Sequence, residues 1–213
     1  MKKNTLIITA ITVSAALASC SSDSTNAEST QSGAPQETNA EVANWTVDAD
    51  QSSIRWTGGT AGAAVYSHFG DIKVKSGALT TEGKGIKTGA FVVDMTTVTP
   101  KDKGYNEENT AAKLVGHLSS ADFFNVEAYP ESSFNITSVQ GNKIMGNLTI
   151  RGNTNLETIS VSNMTMNEDG SMTATGTLVF DRQKYDVAWE HFLKDTVLSD
   201  DITLEITLVA KQA

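Results

Sequence analysis

The chain has 213 residues, a formal net charge of −9 at pH 7 and a single cysteine. An acidic balance of this size argues against a nucleic-acid partner and against electrostatic docking onto anionic lipid. A lone cysteine excludes a disulfide within the chain, so an ordinary hydrophobic core must stabilise the folded part.

Residues 1–20 have the layout of a bacterial secretory signal. Lys2 and Lys3 precede a mostly apolar run over residues 6–17, which is shorter than the roughly 20 residues that a membrane-spanning helix needs. The small residues before Cys20 resemble the lipobox of bacterial lipoproteins, in which cleavage leaves a lipidated cysteine as the first residue. That resemblance implies an acyl anchor on Cys20 and a place in the cell envelope, on the periplasmic side or the outer-membrane surface. The alternative is an ordinary secretory signal that has a cysteine near its end.

Residues 21–43 differ in composition from both neighbours. They are rich in Ser, Thr, Asn, Gln, Glu and Ala, and Val42 is their only large apolar residue. Such a segment cannot bury enough surface to offset the entropy of ordering it, which predicts a flexible stalk. Residues 44–213 are long enough for one domain with its own core.

The domain has the period-two pattern of β-strands. The clearest strand alternates apolar and mostly polar positions along residues 202–210. Further strands are predicted at 54–56, 71–75, 90–95, 133–139, 143–151, 158–166 and 173–180. Short turn sequences such as Gln140-Gly141-Asn142 and Gly152-Asn153 separate many of them and predict antiparallel hairpins. About eight short strands at this spacing are typical of a barrel or a two-sheet sandwich.

One segment breaks the strand pattern. Residues 106–118 contain good helix formers with apolar positions at helical spacing, and Asn109 or Thr110 is placed to cap the helix. We therefore predict a short helix between the early and late strands. Residues 119–130 then form an ordered crossover through Phe123 and Phe124.

Small residues at predicted inward positions leave two interpretations open. These residues are Ala90, Gly146, Ala174 and Gly176. A barrel of eight strands is just wide enough to be filled by side chains or to hold one small ligand, so small inward residues predict a tunnel. The alternative is that the glycines mark bends and bulges that close the barrel.

Several segments resemble the YceI-like family in the family's own order. The longest reads His-Leu-Ser-Ser-Ala-Asp-Phe-Phe-Asn-Val-Glu-Ala-Tyr-Pro over residues 117–130, and Gly-Asn-Leu-Thr-Ile-Arg-Gly follows at 146–152. Shorter matches lie at 45–48, 53–58, 68–70 and 181–182, the last with the aromatic Tyr185. The chain departs from the family pattern at Val115-Gly116, where members often have Arg-Asp, and at Ser52-Ser53, where many have His-Ser.

The resemblance implies an all-β fold, a lipocalin-like antiparallel β-barrel with one short helix in a crossover. It also implies an apolar tunnel that binds an isoprenoid lipid, such as a quinone tail or a polyprenyl chain, with no other cofactor. Binding of this kind needs no polarised or deprotonated group, so we expect a carrier and not an enzyme. The histidines lack the spacing of a metal site, and no Gly-x-Ser-x-Gly or P-loop is present. The alternative function is a ligandless barrel that serves as a protein-interaction or envelope-structural module.

Eight residues are candidates for contacts with the lipid. They are aromatic, histidine or arginine residues of the matched motifs and of the loop before the last strand: His68, Phe69, His117, Phe123, Phe124, Arg182, Trp189 and Phe192. Each has a structural alternative, because aromatic residues at element junctions usually serve packing. For Asp181-Arg182 the alternative is a structural ion pair or turn clamp.

Overall fold

The structure is a computed structural model that describes residues 41–62, 66–189 and 196–213. The predicted signal with Cys20, most of the predicted stalk, and Phe192 lie outside the described residues. The first strand begins at Val42, two residues before the predicted start of the domain, because the backbone of Val42 and Ala43 is already paired with Glu82 and Thr81.

The described residues form ten strands, one α-helix and one 3-10 helix. The strands are β1 Val42–Val47, β2 Ser53–Gly62, β3 Ser67–Glu82, β4 Gly85–Pro100, β5 Glu131–Gln140, β6 Lys143–Ile150, β7 Asn153–Met166, β8 Met172–Asp181, β9 Thr196–Leu198 and β10 Asp201–Gln212. The helix α1 is Ala111–Ser119, and the 3-10 helix is Arg182–Tyr185.

Eight of the described strands close into an antiparallel barrel. The ring runs β2-β3-β4-β5-β6-β7-β8-β10 and returns to β2, because β10 pairs with β2 as well as with β8. This closure excludes the sandwich and confirms the predicted barrel with a single helix in a crossover. The strand β1 pairs with β3 and β10, as β2 does, but at the opposite end of the barrel. The short strand β9 pairs with the last three residues of β2.

Alternating side chains place the core inside this ring. In β8 every second residue from Met172 to Phe180 is buried, and β6 alternates in the same way. The predicted strands at 71–75 and 90–95 are too short, because β3 and β4 each have 16 residues. Register shifts between Asp71 and Lys73 and between Val74 and Ser76 interrupt their alternation, and such bulges hide a long strand from a period-two pattern.

The helix α1 begins later than predicted. The Thr110 side chain accepts a hydrogen bond from the Lys113 backbone N–H at 3.1 Å, which confirms Thr110 as the cap. Upstream, the Asn106 side chain accepts from the N–H groups of Glu108 and Asn109 and forms a turn instead of a helical start. The helix, the crossover that follows it and the 3-10 helix all lie at the end of the barrel where β4, β6 and β8 finish, which we call the helix end. None of the helices in the described part of the chain is long and apolar enough to cross a membrane.

Candidate functional site

The barrel encloses an apolar cavity of about 320 Å³. Every strand of the ring contributes inward side chains to its wall, and α1 and the crossover add further side chains at the helix end. The described residues that line it include no lysine, arginine, aspartate or glutamate. A cavity of this kind favours an apolar guest, because burying a charge without a partner is costly.

Part of this space comes from small inward residues. Ala174 and Gly176 line the cavity, and Gly176 is paired with Val161 of the neighbouring strand, which also lines it. Gly146 acts differently, because a Cβ atom there would lie 2.4 Å from the Phe134 ring, which occupies that space. Gly146 and Gly176 also lie beside register shifts in their neighbouring strands, between Ile136 and Ser138 and between Val161 and Asn163, as the bulge interpretation expects. The prediction that Ala90 faces inward is wrong, because Ala90 is exposed and does not line the cavity.

Four predicted residues meet in one aromatic cluster at the helix end of the cavity. The ring of His117 packs edge-on against Trp189, with centroids 4.6 Å apart, and against Phe123 at 5.3 Å. Phe123 in turn contacts Phe124 at 4.9 Å. All four line the cavity, so the motif at 117–130 and the loop before the last strand converge on the same wall.

His68 lines the cavity as part of a polar group at the same end. Its Nδ1 lies 2.9 Å from Asp102 Oδ2, and the Tyr105 hydroxyl donates to Asp102 Oδ1 at 2.7 Å. Burial alone would raise the pKa of Asp102, but the hydrogen bonds from His68 and Tyr105 outweigh it and lower that pKa. Burial, together with the neighbouring carboxylate, raises the pKa of Tyr105 to about 12. Asp102 and Tyr105 escaped prediction because they lie in the loop after β4, where no pattern marks them.

Two polar atoms inside the cavity wall have no hydrogen-bond partner among the described residues. They are Nε1 of Trp56 and Nε2 of His117, and both are buried. Burial also lowers the pKa of His117, although the charge of Asp122 acts in the opposite direction. Trp56 was part of a matched motif, but its sequence context gave no sign that its indole N–H would face an apolar space.

Residues 45–210 match the sequence profile of the YceI-like domain. The chain belongs to the YceI-like domain family. A curated relative, UPF0312 protein SAB2563 of Staphylococcus aureus (strain bovine RF122 / ET3-1), is 33% identical over 96 residues, which cover 42% of this chain and 56% of the relative. UPF0312 protein SA2479 of strain N315 is 32% identical over the same length. The chain thus matches only about half the length of these relatives.

Two solved structures share the fold of this YceI-like domain. Burkholderia cenocepacia BcnA superposes with a TM-score of 0.57 at 17% identity, over 78% of this chain and 99% of that one. A polyisoprenoid binding domain from Saccharophagus degradans superposes with a TM-score of 0.51 at 10% identity, over 81% and 100%. At these identities the likeness concerns the fold alone.

Two other candidates of the YceI-like domain lie away from the cavity wall. Phe69 is absent from the lining, and its ring lies under the Arg55 guanidinium, 4.9 Å from that group. Arg182, only 2% exposed, donates to the carbonyls of Val187, Trp189 and Ser199 and to the Asp200 carboxylate. This geometry favours the clamp over a ligand contact, with Asp200 as the partner.

Proposed function

We propose that this YceI-like domain binds a long apolar lipid of the isoprenoid type, such as a quinone tail or a polyprenyl chain, inside its barrel. The observation that carries the proposal is the cavity of about 320 Å³, whose described lining residues include no lysine, arginine, aspartate or glutamate. The polyisoprenoid binding named for the Saccharophagus degradans domain supports the same class of ligand.

The size of the cavity is consistent with a section of such a chain. A cavity of about 150 Å³ is enough to take up benzene, so about 320 Å³ has room for on the order of a dozen carbons. Burial of that many methylene-like groups would contribute roughly 10 kcal/mol before the costs of association, at about 0.8 kcal/mol per group. Those costs are about 4–15 kcal/mol, so burial of this section is comparable to them, and the net affinity requires further contacts along the lipid.

The lining also supports a carrier in preference to a catalyst. Among the described lining residues the ionisable side chains are Tyr66, His68 and His117, and no carboxylate, amine or thiol faces the space. A reaction that needs a positioned acid and base would have only these three ionisable side chains available in the described lining. The cavity likewise favours a ligand-binding barrel over the alternative of a ligandless structural module, whose interior would be filled by its own side chains.

The setting that we propose is the cell envelope. The lipobox-like sequence that ends at Cys20 supports attachment to a membrane through acyl chains. An anchored barrel that accepts isoprenoid lipids would serve their transport, their storage or protection against envelope stress.

A matched pair of valine variants tests the proposal. Val161 faces the cavity beside Gly176, whereas Val179 of β8 points outward and is 48% exposed. In the full-length chain, Val161→Phe is expected to fill cavity space and weaken binding of a prenylquinone at least about tenfold, which corresponds to ~1.4 kcal/mol. Val179→Phe is expected to leave the Kd unchanged. Equal affinities for both variants and the wild type would place the ligand outside the barrel.

A further inference from the structure

The buried wall of the cavity contains two polar atoms that no described residue satisfies. Nε1 of Trp56 and Nε2 of His117 are both buried, and neither has a hydrogen-bond partner among residues 41–62, 66–189 and 196–213. Both side chains line the apolar cavity. They are the only two side-chain atoms of this kind in that part of the chain.

Such atoms are rare in folded proteins because they are costly. Most buried polar groups have a hydrogen-bond partner, and a buried donor without one has lost its hydrogen bond to water without replacing it. Trp45 shows the usual arrangement, because its buried Nε1 donates a hydrogen bond to Thr81 Oγ1 at 3.0 Å. A bound water is a poor substitute at Trp56 and His117, because a buried water needs two to four polar partners and the lining is almost wholly apolar.

Trp56 lies inside the barrel, and His117 faces the same cavity from the helix end. Trp56 is paired with Gly70, while Gly58, two residues further along β2, is paired with His68 at the level of the Asp102 group. Trp56 therefore lies one inward-facing position deeper than His68. His117 faces the same space from α1, against Trp189 and Phe123.

The chemistry of the two atoms limits what they can bind. An indole N–H only donates, so Trp56 requires an acceptor oxygen. His117 is held toward its neutral form by burial, and a neutral imidazole donates or accepts at Nε2 according to its tautomer. A phosphate or carboxylate would be buried there without a lysine or arginine in the described lining to pair with it.

We propose that Trp56 Nε1 and His117 Nε2 form a subsite for an uncharged oxygen at the head of the bound chain, such as a quinone carbonyl or a prenol hydroxyl. This inference rests on the proposed function, since it assumes that an apolar chain enters the barrel. It adds that the polar head of the lipid lies inside the barrel, and that lipids with an uncharged head bind in preference to prenyl phosphates.

The test compares four ligands that carry the same isoprenoid tail: a quinone, a prenol, a prenyl phosphate and the plain hydrocarbon. Each is titrated against the full-length wild-type chain and against the variants Trp56→Phe and His117→Phe, which keep an aromatic ring and remove the polar atom. Trp45→Phe is the matched control, because it removes an indole N–H that lies outside this cavity. The infrared carbonyl stretch of the bound quinone provides a second readout that packing changes alone would not move.

The wild type is expected to bind the quinone or the prenol roughly fivefold more tightly than the hydrocarbon, and the prenyl phosphate no better than the hydrocarbon. Trp56→Phe is expected to remove that preference and the carbonyl shift, so that the quinone, the prenol and the hydrocarbon bind this variant with equal affinity. Trp45→Phe is expected to preserve the preference and the carbonyl shift. His117→Phe distinguishes the two head groups. Loss of the preference for the prenol alone identifies Nε2 as an acceptor for a hydroxyl, and loss of the preference for the quinone identifies it as a donor.

Either of two results would overturn the subsite. One is a wild type that binds the hydrocarbon as tightly as the quinone and the prenol, and the other is a Trp56→Phe variant that keeps the full preference. A wild type that binds none of the four ligands would instead contradict the proposed function itself.

Discussion

Replacement of Arg182 offers the sharpest test of how the helix end is built. The guanidinium is nearly inaccessible and donates to three backbone carbonyls and to Asp200. Arg182→Met would keep an apolar stem and leave those carbonyls without their donor. Breaking a buried charged network costs about 3–5 kcal/mol, and the half-exposed Asp200 carboxylate can regain water, which reduces the cost. We therefore expect a loss of about 3 kcal/mol in the free energy of unfolding.

Urea denaturation followed by circular dichroism measures this loss directly. For a domain of this size about 3 kcal/mol corresponds to a drop of roughly 6–12 °C in Tm. Lys184→Met is the matched control, because Lys184 belongs to the same 3-10 helix but its side chain is 51% exposed. Its one ion pair among the described residues, with Glu157 at 3.7 Å, is long, so the variant should change stability by less than about 1 kcal/mol. A loss below about 1 kcal/mol for Arg182→Met, combined with a large loss of lipid affinity, would refute the clamp and favour a ligand contact.

Substitutions at three further positions test the barrel wall, the helix cap and the polar group at the helix end. Gly146→Ala should destabilise the barrel by about 1–3 kcal/mol in urea denaturation, because its Cβ atom would lie 2.4 Å from the Phe134 ring; an unchanged midpoint would contradict that contact. Thr110→Ala should cost about 1 kcal/mol through loss of the α1 cap, whereas Thr110→Ser should restore most of it. The folded-state pKa of Asp102 lies below its ordinary value of 3.8, so the stability that it contributes is present above that pH and is lost as pH falls through the lowered pKa. Asp102→Asn, which also loses the contact between the carboxylate and His68 Nδ1, should therefore show a flatter decline in stability below about pH 4 than the wild type.

The strands that alternate cleanly were predictable from the sequence. The last strand, β10, and its neighbour β8 follow the period-two rule over most of their length, and the turn at Gly141 identified a hairpin. The match at residues 117–130 identified the aromatic residues of the crossover as candidates for contacts with the lipid. These features are local, so a local pattern is enough to reveal them.

The remaining features depend on which face a residue occupies and on contacts that are distant in sequence. His68 and Phe69 were both candidates, but adjacent residues of a strand point to opposite faces, and only His68 lines the cavity. Asp102 became part of the site only because β3 and β4 pair closely enough to bring its loop beside His68. The unsatisfied Trp56 indole is visible only once the barrel has closed around it.

The central claim is that the barrel holds an isoprenoid-type lipid, and native mass spectrometry of the full-length chain purified from a bacterial envelope tests it most directly. The expected spectrum shows one additional mass per chain, and organic extraction of the same sample identifies that mass as a prenyl lipid or quinone. A chain that carries no lipid, and that still carries none after incubation with prenylquinones and prenols, would contradict the claim.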